Sequence, residues 1–220
     1  TDCKDEDNMA SNSATMLATH QSIKAYVDAV PSNAQFNAII NGDFSVAQRG
    51  TSFTAATSTV TSEANNDDTY HLDRWYTLSD GNDIIDITQV ASSDTGRSLF
   101  GILLDVETID KKFGIAQIIE RKNCKGLIGT TASLSFRAKV AGSGKLDNVK
   151  AAVIAWSGTA DSVTSDVVNA WNAEGTDPGL ATNWTYENTP ANLNVTTSWV
   201  RYKIENISMD TSRINNVAVF

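Results

Sequence analysis

Hydrophobic positions along the chain fall into two regimes. Between residues 19 and 31 they recur at helical spacing. Ile23, Tyr26, Val27 and Val30 stand at i, i+3, i+4 and i+7, with Thr19 placed to cap the run and Pro31 to end it. This predicts one helix of about 12 residues, a length that is marginal alone in water. Its stripe needs a partner, either the domain that follows or the same helix of other subunits. From Phe36 the spacing changes to short runs rich in β-branched and aromatic residues: FNAII, FSVAQ, LDRWYTL, DIIDITQV, RSLFGILLDV, FGIAQIIE, TASLSFRAKV, NVKAAVIAW, WVRYKIENI and RINNVAVF. Clusters of Gly, Asn, Asp or Ser separate them, which is the pattern of an all-β sandwich or barrel. In TASLSFRAKV, Ala132, Leu134, Phe136, Ala138 and Val140 share one face. In WVRYKIENI, Val200, Tyr202 and Ile204 form the apolar face against Arg201, Lys203 and Glu205.

One connection breaks this rhythm. Residues 157–192 form a long insertion between two strands. Asp161 could cap a short helix there, with Val163, Val167 and Trp171 on one face and Gly175, Pro178 and Gly179 as its stop. A connection of this length in a compact β domain is usually functional. The expected organisation is therefore an N-terminal linker and helical connector over 1–35, followed by a β-sandwich over 36–220 that carries the insertion.

Composition narrows the partners. The chain has 220 residues, 41% of them hydrophobic and 20% charged, enough to bury about 70% of the unfolded surface and so to hold a core without staples. The net charge of −9 argues against a nucleic-acid backbone or an anionic membrane as partner. No apolar run is long enough for membrane insertion. The acidic start TDCKDEDNMA lacks the apolar stretch of a signal peptide, so none is expected.

Candidate chemistry is sparse. There are only two histidines, His20 and His71, and no nucleophile motif accompanies them. Carboxylates stand in pairs at Asp67 and Asp68 and at Asp83 and Asp86, but the spacing does not select an opposed pair for glycoside chemistry. No catalytic residue is assigned, and a chain without enzymatic activity is expected. AGSGKL (141–146) lacks the first glycine and the final Ser or Thr of a phosphate loop and reads as a turn. The acidic loops EANNDD (63–68) and LSDGND (78–83) lack EF-hand spacing, so no metal ligand and no cofactor is assigned. Of the five tryptophans, Trp75 and Trp199 lie in or beside apolar strands and are expected in the core. Trp171 and Trp184 lie in the insertion, with Tyr186 and Asn183 beside them. An aromatic face suits the C–H face of a sugar, and an amide suits its hydroxyls. These four residues are the expected ligand-binding set. The alternative is that the two indoles pack the insertion onto the sandwich.

Two segments carry a resemblance. DNMASNSATMLATHQSIKAYVDAV (7–30) resembles a short module of bacteriophage tail-fibre and virion proteins, through Asp7, Met9, Ser11, Ser13, Thr19, Ser22, Lys24, Tyr26, Val27 and Asp28. FNAIINGDFSVAQRGTSFT (36–54), followed by YHLDRWY (70–76), resembles the opening of a phage-associated jelly-roll module similar to galactose-binding-like carbohydrate-binding modules. Asn41, Gly42, Asp43, Phe44, Gln48, Arg49, Gly50, Asp73, Arg74 and Trp75 carry that match. Beside the resemblance, Asn41-Gly42-Asp43 reads as a tight turn with Gly42 at positive φ. Arg74 is placed to pair with Asp73 or Asp43, and Trp75 to anchor the first sheet. The family's usual Q-L-E-x-G-like ending is missing before Phe220, so a sandwich completed by another subunit, or a truncated chain, is expected. Ser45 stands where sugar-binding relatives often place an acidic residue that helps a structural calcium.

The resemblance implies a mainly β protein, a jelly-roll β-sandwich preceded by a short N-terminal helix, located in the virion as a tail fibre or related external appendage. It implies a binding head for host attachment, with a host-surface glycan as ligand. Other virion proteins are expected as partners, and a homotrimer joined through Ile23, Val27 and Val30. A purely structural virion protein, whose jelly roll packs against other virion chains, is the alternative.

Overall fold

The computed structural model describes residues 3–4, 17–29, 37–54, 65–94, 97–142, 146, 148–163, 165–212 and 214–220. The chain divides into two compact units, Thr1–Asn37 and Ala38–Phe220. It is mainly β, in several antiparallel sheets, with one short helix near the N-terminus.

In the first unit β1 (Cys3–Lys4) runs parallel to β2 (Leu17–Ala18), and α1 (His20–Ala29) follows directly. Thr19 caps α1 as its position predicts: its Oγ1 accepts the Ser22 N–H at 3.1 Å. Among the described residues, α1 is too short to cross a membrane.

The second unit contains β3 (Ser52–Phe53), β4 (Tyr76–Ser79), β5 (Ile85–Ala91), β6 (Phe100–Val106), β7 (Phe113–Ile119), α2 (Arg121–Cys124), β8 (Thr131–Ala138), β9 (Val153–Trp156), β10 (Val168–Ala170), β11 (Gly179–Leu180), β12 (Trp184–Tyr186), β13 (Val200–Ser208) and β14 (Asn216–Val219). Its centre is a five-stranded antiparallel sheet in the order β12-β9-β14-β7-β4. The period of two divides this sheet's side chains between two faces. Ile119, Val153, Ala155, Val217 and Val219 point one way and meet Leu134, Ile207 and Met209 of the β8–β13 ribbon and its continuation. Ala116, Ile154 and Ala218 point the other way and meet Val167, Val168 and Trp184. The insertion thus covers the second face. Burial on both faces explains why AAVIAW and NVAV are continuous apolar runs without alternation. A separate cluster of Phe53, Leu72, Ile84, Ile85 and Ile87 lies under the three-stranded sheet β3-β5-β6.

Several sequence expectations are corrected here. FNAII and FSVAQ do not form strands where they are described. Their backbone is satisfied by side chains instead: the buried Gln117 amide donates to Ile40 O at 2.7 Å and accepts the Ile40 N–H at 2.8 Å. The Asn41 amide does the same for Val46, with both bonds at 2.9 Å. The helix expected after Asp161 is absent from the described residues; that segment is irregular and then forms the β10–β11 pair. Positive φ falls on Asn41 (54°) and Phe44 (57°), not on Gly42. The alternation expected in WVRYKIENI holds through Tyr202 and Ile204, then slips at a bulge where Asn206 takes φ 59°, which returns Ile207 to the core. Trp199 is half-buried rather than core, with Lys139 over its ring and its Nε1 donating to Ser93 Oγ at 2.9 Å.

Candidate functional site

The LDRW turn organises one end of the central sheet. Trp75 N–H donates to Leu72 O at 2.8 Å, and Arg74 takes φ 78° within the turn. Trp75 is buried against Phe44, with ring centroids 5.3 Å apart, and its Nε1 donates to Asn41 O at 3.0 Å. Asn41 Nδ2 in turn donates to Asp73 O at 2.9 Å, and the Asp73 carboxylate accepts the Gln48 N–H at 2.6 Å. The NGDF, QRG and DRWY segments are therefore one interlocked unit. Arg74 does not pair with Asp73 or Asp43 as expected; its Nη2 bonds Glu120 Oε1 at 3.0 Å, just beyond β7.

This unit presents Tyr70, Arg74 and Tyr76 to a cleft of about 170 Å³. The sheet supplies Ile118, Glu120 and Asn216, and the insertion closes the far wall with Asp161, Val163 and Ser165. Tyr70 and Tyr76 meet edge to face at 4.9 Å, and the Arg49 guanidinium sits over Tyr70 at 4.3 Å from the ring centre. Two carboxylates in the cleft are held ionised. Hydrogen bonds from Arg74 and Lys122 keep Glu120 below the usual range. Asp161 is kept low by the Arg121 N–H at 2.8 Å and the Asn216 amide at 2.7 Å. Behind Ser165, Asp68 behaves oppositely: burial, then Asp166 and Asp67, raise it to about 6, while its bond with Ser165 opposes the shift. The cleft combines an aromatic pair, a guanidinium and fixed carboxylate acceptors. Such groups can receive an apolar ring face and an array of hydroxyls.

The expected ligand-binding set is dispersed. Trp184 is only 5% exposed; it packs on Trp156 at 5.3 Å under the insertion, which leaves no face for a sugar. Trp171 is half-buried against Phe220 at 6.2 Å. Tyr186 lines a different, shallow polar hollow with Glu187 and Asp210. Its hydroxyl donates to Pro178 O at 2.8 Å and is pushed up to about 12 by burial and Asp177. Asn183 is exposed and holds a turn at φ 72°, its carbonyl accepting the Ser157 N–H at 2.9 Å. The insertion does reach the cleft, but through Asp161, Val163 and Ser165. Of the expected trimer contacts, Ile23 is 46% exposed; the Val27 side chain and Val30 lie outside the described residues.

No family model matches the chain, and no curated protein matches it. Among solved structures it is similar to the enzymatically active domain of tailspike protein 4 of bacteriophage CBA120, at 13% identity and a TM-score of 0.46. The match covers 84% of this chain and 18% of the tailspike chain, so the chain spans less than a fifth of that protein's length. That the similar domain is enzymatically active overturns the expectation of a chain without enzymatic activity, which is withdrawn.

Proposed function

We propose that the chain is part of a tailed-phage virion appendage and that its β unit is a head that takes a host-surface glycan in the Tyr70–Arg74–Tyr76 cleft. The observation that carries this reading is the juxtaposition of the tyrosine pair, the Arg74–Glu120 ion pair and Asp161 in one concavity. The resemblance of the DRWY segment to carbohydrate-binding modules supports it, because that segment builds the cleft wall. A ring face on Tyr76 and hydroxyls bridging Arg74, Glu120 and Asp161 would use the charged groups that the cleft presents. Binding and cleavage of a glycan call on the same groups, so the test reads both.

The experiment is a glycan array, followed by calorimetry on the best ligand and analysis of the ligand's size after incubation. It compares wild type with Tyr76→Ala, and with Trp171→Ala as a control outside the cleft. The expected result is saturable binding by wild type, weakened about two- to tenfold by Tyr76→Ala, in keeping with the roughly 0.5–1.5 kcal/mol of an aromatic contact, and unchanged by Trp171→Ala. Absence of glycan binding by wild type, or equal binding by a folded Tyr76→Ala protein, would overturn the proposal.

A further inference from the structure

Strand β6 is a sheet edge whose protections are confined to Ser98, which caps Phe100 at its start, and Asp105 near its end. It pairs with β5 on one side, and among the described residues no strand lies on the other. Natural edges are kept short, bulged, or armed with lysine or proline. Here the pairing is regular over all seven residues, FGILLDV, from Ala91–Phe100 to Ile85–Val106. Phe100, Leu103 and Val106 are 36%, 45% and 39% exposed, and flanking Leu99 and Ile109 are 82% and 78% exposed. Phe100 and Val106 share the face of Ile102 and Leu104, which pack on the core cluster, and Leu103 lies on the other face, so apolar side chains flank the edge on both faces of the sheet.

Pairing with β5 fixes which backbone groups the edge offers. Ser92 N–H donates to Leu99 O at 2.9 Å, and Glu107 N–H to Ile84 O at 2.9 Å. Odd-numbered residues of β6 therefore bond inward, and the outward N–H and C=O groups belong to Phe100, Ile102, Leu104 and Val106; at Phe100 both are engaged by Ser98, whose hydroxyl donates to Phe100 O at 2.7 Å and accepts the Phe100 N–H at 3.3 Å. We propose that this edge pairs antiparallel with the same edge of a second copy, about a two-fold axis at Leu103, so that the two sheets become one. In that register Ile102 bonds the partner's Leu104 on both sides of the axis, and Phe100 bonds the partner's Val106 by exchanging the Ser98 hydroxyl for it. The edge groups of Ile102, Leu104 and Val106 then all find mates, and each hydrogen-bonded pair is apolar on both sides.

Charge selects the same register. Asp105 falls opposite the partner's Gly101, whereas an axis at Asp105 would set that carboxylate against its own copy. Arg97, before one end of the strand, is brought toward the partner's Glu107, beyond the other. Leu103 packs on the partner's Leu103 across the axis, the closest side-chain approach in an antiparallel ladder. The contact is self-complementary and closed, so it consumes the edge instead of propagating it. It yields a pair, distinct from the trimer expected through α1.

Light scattering on the full chain at tens of micromolar tests the proposal. Wild type should show twice the chain mass, and Leu103→Lys should lower it twofold by placing two ammonium groups on the axis. Leu103 lies on the outer face, so circular dichroism should be unchanged, and the melting temperature of wild type, but not of Leu103→Lys, should rise with chain concentration. In a Cys3→Ser background, which leaves only the buried Cys124, Leu103→Cys should give a covalent pair on mild oxidation, while Asp105→Cys should not. A monomeric wild type, a trimer or other oligomer whose mass Leu103→Lys leaves unchanged, or equal cross-linking at both positions would each overturn it.

Discussion

His71 lies wholly buried beside the Phe53 ring, with centroids 5.9 Å apart, and burial lowers its pKa to about 4 against a smaller opposing contribution from the Tyr76 backbone. Between pH 4 and 6.5 the unfolded chain therefore binds a proton that the folded chain refuses, and His71 makes stability fall as pH drops through that window. Asp68, three residues earlier, has the opposite sign. With a folded value near 6 against 3.8 unfolded, it binds a proton more readily in the folded state and adds stability on acidification over nearly the same range. The two slopes oppose each other, and wild-type stability should vary little from about pH 6.5 to 4 on their account. Asp68→Asn removes one slope. That variant should be more stable than wild type above pH 6 and should lose roughly 3 kcal/mol on descending to pH 4. Urea midpoints measured across the range would check this, and parallel curves for the two proteins would contradict it. Trp75→Ala, which removes the Phe44 contact and the bond to Asn41, should cost about 3–5 kcal/mol. A loss below about 1 kcal/mol in chemical denaturation would contradict its place in the core.

Elements were legible where one face alone is buried. TASLSFRAKV shows its alternation openly, and β8 buries Leu134 between exposed Ser133 and Ser135. The bulge in β13 was not legible, because nothing in Glu205-Asn206 marks an extra residue beforehand. FNAII and FSVAQ have strand composition, yet their hydrogen bonds go to Gln117, 77 residues from Ile40, and to Asn41; spacing cannot show such long-range or side-chain satisfaction. The insertion offers a test at this scale. A Cβ on Gly158 would lie 2.4 Å from the Trp156 indole, which is held by its bond to Thr159 O at 2.9 Å and by Trp184. Gly158→Ala should therefore cost about 1–3 kcal/mol through forced repacking. Loss of the tryptophan near-ultraviolet circular dichroism together with a lowered melting temperature would mark it; an unchanged spectrum and midpoint would show that the indole moves freely.

For the whole molecule, the candidate site was half legible. DRWY stands out as a motif, but the sequence assigns Arg74 to Asp73 or Asp43 and Trp75 to the anchoring of a sheet, and nothing in the spacing joins Tyr70 and Tyr76 to Glu120 or Asp161. The fate of Trp171 and Trp184 had a usable signal. AAVIAW and NVAV lack alternation, so their sheet needs cover on both faces, and the long insertion is the segment available to supply it. The same sheet has a consequence for the order in which the molecule is assembled. β14 lies between β7 and β9, which are hydrogen-bonded through it and not to each other. Until residues 216–219 have left the ribosome, the nascent chain holds two unjoined half-sheets, β4 with β7 and β9 with β12, each with an open edge. Folding must then wait on contacts between strands far apart in sequence, which are slow to form and expose apolar edges in the meantime. A chain ending before β14 should remain bound to chaperones or aggregate, and adding a peptide of residues 214–220 during refolding should recover soluble protein by occupying the central slot.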